Sequence, residues 1–268
     1  MVVYCDLILG EELVIRAIMA VANFRFHGEL NFFLPPERKE SEFVYQFKKR
    51  PSIKDTIEAL GVPHPEVYCI NINGENVDFS YILQDGDRVE VYPISARNYL
   101  EVNLIVRPPE PQEKCFVLDV HLGKLASSLR MLGFDTLYRN DYDDEELAEI
   151  SAEENRILLT RDTGLLMRGI VTYGYYVRST HHEEQLKEVM ERFELFLNVE
   201  PFKRCIRCNG LLEAVAKEAI IDKLPEQTKQ NINEFHQCQS CAQIYWRGSH
   251  YERMQEFIDG VMGNKISS

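Results

Sequence analysis

The sequence predicts an α/β fold: a parallel sheet with helices on its faces, preceded by a small strand-rich module with one helix and followed by a Cys-rich tail. Three observations predict it. Over residues 115–177, short apolar runs alternate with stretches of helical period, the pattern of strand–helix–strand units. Over residues 21–96, apolar and polar side chains alternate at the strand period. Near the end stand two C-x-x-C pairs, Cys205 with Cys208 and Cys238 with Cys241.

Composition bounds what the chain can be. Its 268 residues are 45% hydrophobic and 27% charged, enough apolar material for a packed core. At roughly 150 residues per domain this suggests about two domains. No apolar run approaches the roughly 20 residues of a membrane span. The first twenty residues carry acids within their apolar stretch and no basic start, against an export signal. Seven cysteines in this length do not make a secreted disulfide scaffold, so a reducing, cytosolic (cytoplasmic) setting is expected. The formal charge of −13 argues against general coating of nucleic acid. Residues 201–268 hold 9 basic and 8 acidic side chains, and the first 200 hold 21 and 35. A neutral tail and an acidic body read as separate modules. Such a body can still take a polyanion if divalent cations fill an acidic site.

In the first module, Ala22, Phe24 and Phe26 alternate with Asn23, Arg25 and His27 as a half-buried strand does. Ser52 can cap a helix whose Ile53, Ile57 and Leu60 share a face, and Gly61 stops it. Val67 to Ile72 is a strand, Asn73-Gly74 a tight turn, and Asp85-Gly86 turns into the strand from Arg88 to Tyr92. This order resembles the β-grasp of the ubiquitin-like and small sulfur-carrier families. A carrier of that group ends in a free Gly-Gly, whereas here the chain runs on through Tyr92-Pro93-Ile94; a docking or packing role is expected instead. Residues 1–20 fit no part of the module. Met19 directly precedes the first strand, which leaves an artificial upstream start open.

Residues 107–114 (RPPEPQEK) are Pro-rich and polar, an extended-linker signal, and a linker is assigned to 97–113. Then Cys115 to Leu118 is a short apolar strand ending in Asp119. Leu122, Leu125, Ala126, Leu129 and Leu132 recur at helical spacing up to Gly133. Phe134 to Tyr138 is a second strand. Asp144 starts a helix with Leu147 and Ile150 inward. Ile157 to Thr160 is a third strand, ending in Arg161-Asp162, and Tyr175 to Val177 a fourth.

Sites in open α/β sheets form beyond the carboxyl ends of the strands. Asp119 and Asp162 each follow an apolar strand, so both carboxylates emerge on that edge, where a third from 141–146 can join them. Three such carboxylates need a cation, and hard ions such as Mg²⁺ or Mn²⁺ take oxygen ligands. An ion so placed can activate water and stabilise charge on a phosphodiester. The plain alternative is that each acid caps the next helix, most of all Asp144 ahead of Glu145-Glu146. Lys124, Arg130 and Arg161 are cations near the edge. Phosphate contacts are expected of Lys124 and Arg161, with side-chain alternation as the reason Arg161 can instead point away from Asp162, and ion pairs with the surrounding acids of Arg130. His181 and His182 read as helix-start residues.

The two C-x-x-C knuckles have 29 residues between them, which leaves room for a helical insertion. Four thiolates suit structural Zn²⁺. Asn209-Gly210 supplies the small turn such a knuckle needs, and Cys5, Cys69 and Cys115 read as core residues. Beyond the second knuckle, Tyr245-Trp246-Arg247-Gly248-Ser249-His250 offers aromatic and basic groups for bases and phosphate, with Arg247 and His250 as substrate contacts. Packing of the small ribbon weighs equally for Trp246. The segment YERMQEFIDGVM reads as an amphipathic helix.

The stretches FVLDVHLGKLASSLRMLGFDT and DYDDEELAEISAEENRILLTRD, with the Cys-rich tail, resemble the PIN-like ribonuclease domain of the Mut-seven C-terminal family. That family often carries a ubiquitin-like front, and the likeness spans about residues 21–262. The resemblance implies a PIN-like nuclease domain over 114–200, a β-grasp over 21–96, and a zinc ribbon with a closing helix over 201–268. It also implies an acidic Mg or Mn site acting on RNA. Carried over by position, the acids are Asp119, Asp144 (with Asp143 or Glu145 as competitors) and Asp162. A fourth acid, common after the last strand of PIN-like sites, is missing from VTYGYYVRSTHHEEQL. The expected function is metal-dependent hydrolysis of RNA. The alternative is an RNA-binding adaptor without catalysis that uses the ribbon. A protein partner is expected at the β-grasp.

Overall fold

The computed structural model of the protein describes residues 19–246 and 248–263. The expected N-terminal extension lies, but for Met19 and Ala20, outside the described residues, as do Arg247 and the side chain of His250. The chain divides into two compact units: residues up to 62 with 67–106, and residues 63–66 with 107 onward.

The first unit is a five-stranded sheet with one helix. Its elements are β1 (Ala20–Phe26), β2 (Phe43–Phe47), α1 (Ile53–Ala59), β3 (Val67–Ile72), β4 (Glu75–Val77) and β5 (Arg88–Pro93). The strand order is β2-β1-β5-β3-β4, with β1 and β5 parallel and the other pairs antiparallel. This is the ubiquitin-like β-grasp that the order of elements resembles. Phe24, Phe26, Val89 and Val91 turn one face of the sheet onto Ile53 and Ile57, all buried. Burying each such side chain stabilises by about 1.5–3 kcal/mol. The Ser52 hydroxyl accepts from the Asp55 N–H at 3.1 Å and so caps α1. Asn73 and Gly74 both take positive φ, at 55° and 94°, which closes the two-residue turn between β3 and β4.

The core of the second unit is a parallel sheet. It comprises β6 (Phe116–Leu118), α2 (Gly123–Met131), β7 (Thr136–Leu137), α3 (Asp144–Glu153), β8 (Ile157–Thr160), α4 (Thr163–Leu166), β9 (Gly174–Tyr176) and α5 (His182–Arg192). The order is β7-β6-β8-β9, every pair parallel. Strand alternation explains the all-apolar runs. Phe116, Leu118, Ile157 and Leu159 face α2 and α5, whereas Val117 and Leu158 face Leu147, Ala148, Leu165 and Leu166. His181 and His182 open α5, as expected.

The second strand is shorter than its pattern predicts, two residues rather than five. The polar groups of its backbone are met by side chains. Arg130 Nε donates to Thr136 O at 2.9 Å, Arg130 Nη2 donates to Tyr138 O at 3.3 Å, and Asn209 Oδ1 accepts from Thr136 N at 3.0 Å. These contacts satisfy an edge that would otherwise be open to pairing.

The tail forms an antiparallel ribbon of β10 (Leu212–Val215), β11 (Phe235–Cys238) and β12 (Ile244–Trp246), in that order. Two short helices, α6 (Lys217–Ile220) and α7 (Glu226–Asn231), fill the insertion between the knuckles, and α8 (Ser249–Gly263) closes the chain. Ile220, Leu224 and Phe235 form the small core under one face, and Trp246 packs against it with its ring 6.4 Å from that of Phe235.

The stretch 97–113, read as a linker, divides between the units. In the first, Val106 N donates to Tyr68 O at 3.0 Å. In the second, Glu110 pairs with Arg107 at 3.2 Å, Lys114 at 2.9 Å and Arg192 at 3.0 Å. No helix among the described residues is long and apolar enough to cross a membrane.

Candidate functional site

Asp119 and Asp162 leave neighbouring parallel strands at the carboxyl edge of the sheet, because Leu118 of β6 lies beside Leu159 of β8. One side chain ties them together. The hydroxyl of Thr160, fully buried, donates to Asp119 Oδ2 at 2.8 Å and accepts the N–H of Asp162 at 2.9 Å.

The two acids differ in what else they do. Asp119 precedes a short 3-10 turn but does not cap it. It is 7% exposed, and among the described residues no cation pairs with it. Its hydrogen-bond donor among the described residues is a neutral hydroxyl, and carboxylate oxygens are the ligands hard cations take. Asp162 is exposed and does cap the helix after it: Oδ1 accepts from Gly164 N at 2.7 Å and Leu165 N at 3.3 Å. Capping and metal binding are compatible here, since Oδ2 accepts no hydrogen bond from the described residues.

The acidic run before α3 sorts itself. The N-cap is Asp143, not Asp144: Asp143 Oδ1 accepts from Glu145 N and Glu146 N, both at 2.9 Å, and Glu146 Oε2 returns to Asp143 N at 3.1 Å. This capping box removes the plain alternative that Asp144 is the cap and gives that role to Asp143. Asp144 stands at the first helical position, exposed. The three acids do not converge as the tail cysteines do, whose set is the one convergent group of potential metal ligands among the described residues.

Of the cations, Lys124 is exposed in the first turn of α2. Arg161 turns elsewhere. Its Nη1 donates to the carbonyls of Val177, Arg178 and Ser179 at 2.7, 2.8 and 2.6 Å, which fastens the loop after β9. From the other side, Glu188 accepts the N–H groups of Arg178 and Ser179 at 2.8 and 3.0 Å. That loop carries no acid, so the clamp makes it a fixed wall at the sheet edge. Arg161 is thus a loop anchor where a phosphate contact was the expectation.

Arg130 also departs from expectation. In place of acids it meets carbonyls: besides its contacts to the second strand, Nη1 donates to Ile206 O at 3.0 Å and Arg207 O at 3.2 Å, inside the first knuckle. Burial pushes its pKa down, and the nearby Cys208 and Cys205 push it back up. Asp135, which sequence reasoning passed over, joins the same seam. It pairs with Arg156 at 2.7 Å and Arg204 at 2.8 Å, and accepts from Asn209 Nδ2 at 2.9 Å.

The sulfur atoms of Cys205, Cys208, Cys238 and Cys241 lie within 4.8 Å of one another. The pairs Cys205–Cys241 and Cys208–Cys238 are 3.7 and 3.4 Å apart. A tetrahedral ion with Zn–S bonds of about 2.3 Å spaces its sulfurs about 3.8 Å apart, so the four thiols can bind a metal such as zinc. Gly210 lets the knuckles close: a Cβ there would stand 2.5 Å from Ser240 Oγ and 2.8 Å from Cys238 Sγ. Burial opposes the Cys238 thiolate, but the N–H groups of Cys241 and Ser240 outweigh it and bring this thiol down to about 7. The Tyr245 hydroxyl lies 3.1 Å from Cys205 Sγ.

Comparison with known families agrees with this architecture. The Mut7-C RNAse domain matches residues 114–258, and the Mut7-C ubiquitin domain matches residues 19–99. No curated protein and no solved structure matches the chain. With more than half its length matched by one domain, and that match spanning both the parallel sheet and the cysteine centre, the chain belongs to the Mut7-C RNAse domain family and carries a Mut7-C ubiquitin domain ahead of it.

Proposed function

We propose that the protein is a metal-dependent ribonuclease that hydrolyses RNA phosphodiester bonds. Asp119 and Asp162 would hold Mg²⁺ or Mn²⁺, with Asp144 drawn in from the start of α3 as a third ligand when the ion binds, and the four cysteines would hold a structural Zn²⁺. The observation that carries this is the Thr160 bridge, which couples the buried Asp119, without a cation partner among the described residues, to Asp162 after the neighbouring strand. A divalent ion bound there supplies an activated water and neutralises charge on the cleaved phosphate. The chain's own groups hold the acids in place: Thr160 from within the sheet, and the Asp143 capping box for the start of α3. The clamped loop 177–179 bounds the sheet edge. Lys124, exposed in the first turn of α2, is a phosphate contact, and Arg247 and His250 are proposed as further ones. Four thiols and no acid in the tail set make the zinc structural. The reading also takes the ubiquitin-like domain as a docking module for a protein partner, and the cytosol as the compartment in which these thiols stay reduced.

The test is cleavage of labelled RNA with Mn²⁺ by the wild type and by Asp119→Asn and Asp162→Asn forms. Asn caps a helix as well as Asp, so Asp162→Asn removes charge without unfolding α4. We expect at least a hundredfold loss in both. Equal cleavage by all three refutes the acidic site. Tight RNA binding without cleavage by the wild type points to the adaptor instead.

A further inference from the structure

A pocket of about 260 Å³ opens on the ribbon, and neither Asp119 nor Asp162 lines it. Phe202, Leu212, Tyr245 and Trp246 line it, with His236 and Glu234 as its polar members. Strand pairing explains the shared face. His236 lies opposite Tyr245, and Leu212 opposite Cys238, two residues on from His236. Phe235 and Trp246, paired with each other, turn to the opposite face and the small core, so Trp246 meets the pocket at its edge.

The walls are built rather than incidental. Phe202 sits at φ 60°, a region where a bulky side chain is an outlier. Its N–H is held by Met131 O at 3.2 Å, and Leu212 N donates to Lys203 O at 3.0 Å, which lays this turn against β10. Tyr245 is fixed through its hydroxyl on Cys205 Sγ. The exposed His236 ring stays at the rim.

We infer that this pocket receives one unstacked base of single-stranded RNA, a contact separate from the acidic edge; the inference rests on the ribonuclease reading for its class of ligand. The pocket is smaller than the roughly 300–1,000 Å³ of sites for drug-sized ligands, and suits a single flat ring system. Aromatic faces stack on bases irrespective of sequence, and a carboxylate and an imidazole can meet the polar edge of a base. The charge nearby is compatible. Arg207 is exposed, makes no ion pair among the described residues, and its backbone N–H lies against the Tyr245 hydroxyl. The tail as a whole is close to neutral, unlike the acidic body.

Trp246 is the one tryptophan in the sequence; it packs on Phe235 and also lines the pocket, so its emission responds to what fills the pocket's edge. The experiment titrates the full chain, without added Mg²⁺ or Mn²⁺, with a hexamer of oligoadenylate and with an abasic ribose-phosphate hexamer. Binding is read by anisotropy of end-labelled strands and by Trp246 emission with unlabelled ones. We expect oligoadenylate to quench Trp246, the abasic strand to bind at least tenfold more weakly without quenching, and His236→Ala to weaken oligoadenylate binding about tenfold. Equal binding of both strands, or unchanged emission at saturation, overturns the base pocket while leaving the ribonuclease reading intact. Binding of neither strand overturns the pocket as well; cleavage of longer RNA by the same preparation then decides whether the ribonuclease reading falls with it.

Discussion

The Thr160 hydroxyl donates to Asp119 Oδ2 at 2.8 Å. The same oxygen accepts the Asp162 N–H, so one buried group sets two acids from different strands. Thr160→Val keeps the shape and deletes the bridge. It should cost about 1–3 kcal/mol of stability, since it leaves Asp119 buried without its donor. RNA cleavage should fall at least tenfold, and Thr160→Ser should restore most of it. Thermal unfolding and single-turnover cleavage measured on both variants check this. Wild-type cleavage by Thr160→Val would show that the bridge is dispensable.

Asp162 serves the chain twice, as helix cap and as proposed ligand, and the two roles separate by substitution. Asp162→Ala loses the cap and should cost about 1 kcal/mol. Asp162→Asn keeps the bonds to Gly164 N and Leu165 N and should melt close to the wild type. Both should lose cleavage alike. Activity that tracks stability across the pair would make Asp162 a cap only.

Arg130 joins the sheet to the first knuckle through four carbonyls, those of Thr136, Tyr138, Ile206 and Arg207. Arg130→Met fills the space without donors. It should destabilise the second unit by about 2–4 kcal/mol and speed zinc loss to a chelator, because Cys205 and Cys208 flank the two knuckle carbonyls. Zinc release followed with a colorimetric chelator, beside denaturant unfolding, measures both. Unchanged release would mean the thiolates hold the knuckle unaided.

What the sequence made legible follows from local rules. Asp119 and Asp162 stand out because an apolar strand ends and a carboxylate follows, and both do reach one sheet edge. The knuckles are legible because a two-residue spacing between cysteines is itself the geometry. The rest depended on partners distant in sequence. The acids assigned to the sheet edge made ion pairs the expectation for Arg130, yet its partners at Ile206 and Arg207 are 76 and 77 residues away. Arg161 adjoins Asp162, but strand alternation sends its side chain to the loop after β9. In the run from Asp141 to Glu146, every acid is a credible cap; only backbone geometry selects Asp143. Phe202 bears no signal at all, because its place depends on an unusual φ.

Glu110 ties together Arg107, Lys114 and Arg192. Burial alone would raise its pKa, but Arg192, Lys114 and Arg107 outweigh it and hold the carboxyl at about 2, below the ordinary 4.5. A lowered folded-state pKa stabilises the fold above the ordinary value, and that contribution is lost as pH falls from about 4.5 through about 2. The loss should amount to no more than about 3 kcal/mol. Denaturant unfolding at pH 7, 4 and 2.5 reads it. Glu110→Gln should be less stable than the wild type at pH 7, and the two should draw together at pH 2.5. A difference that persists undiminished at the lowest pH would assign the Glu110 contribution to packing rather than to charge.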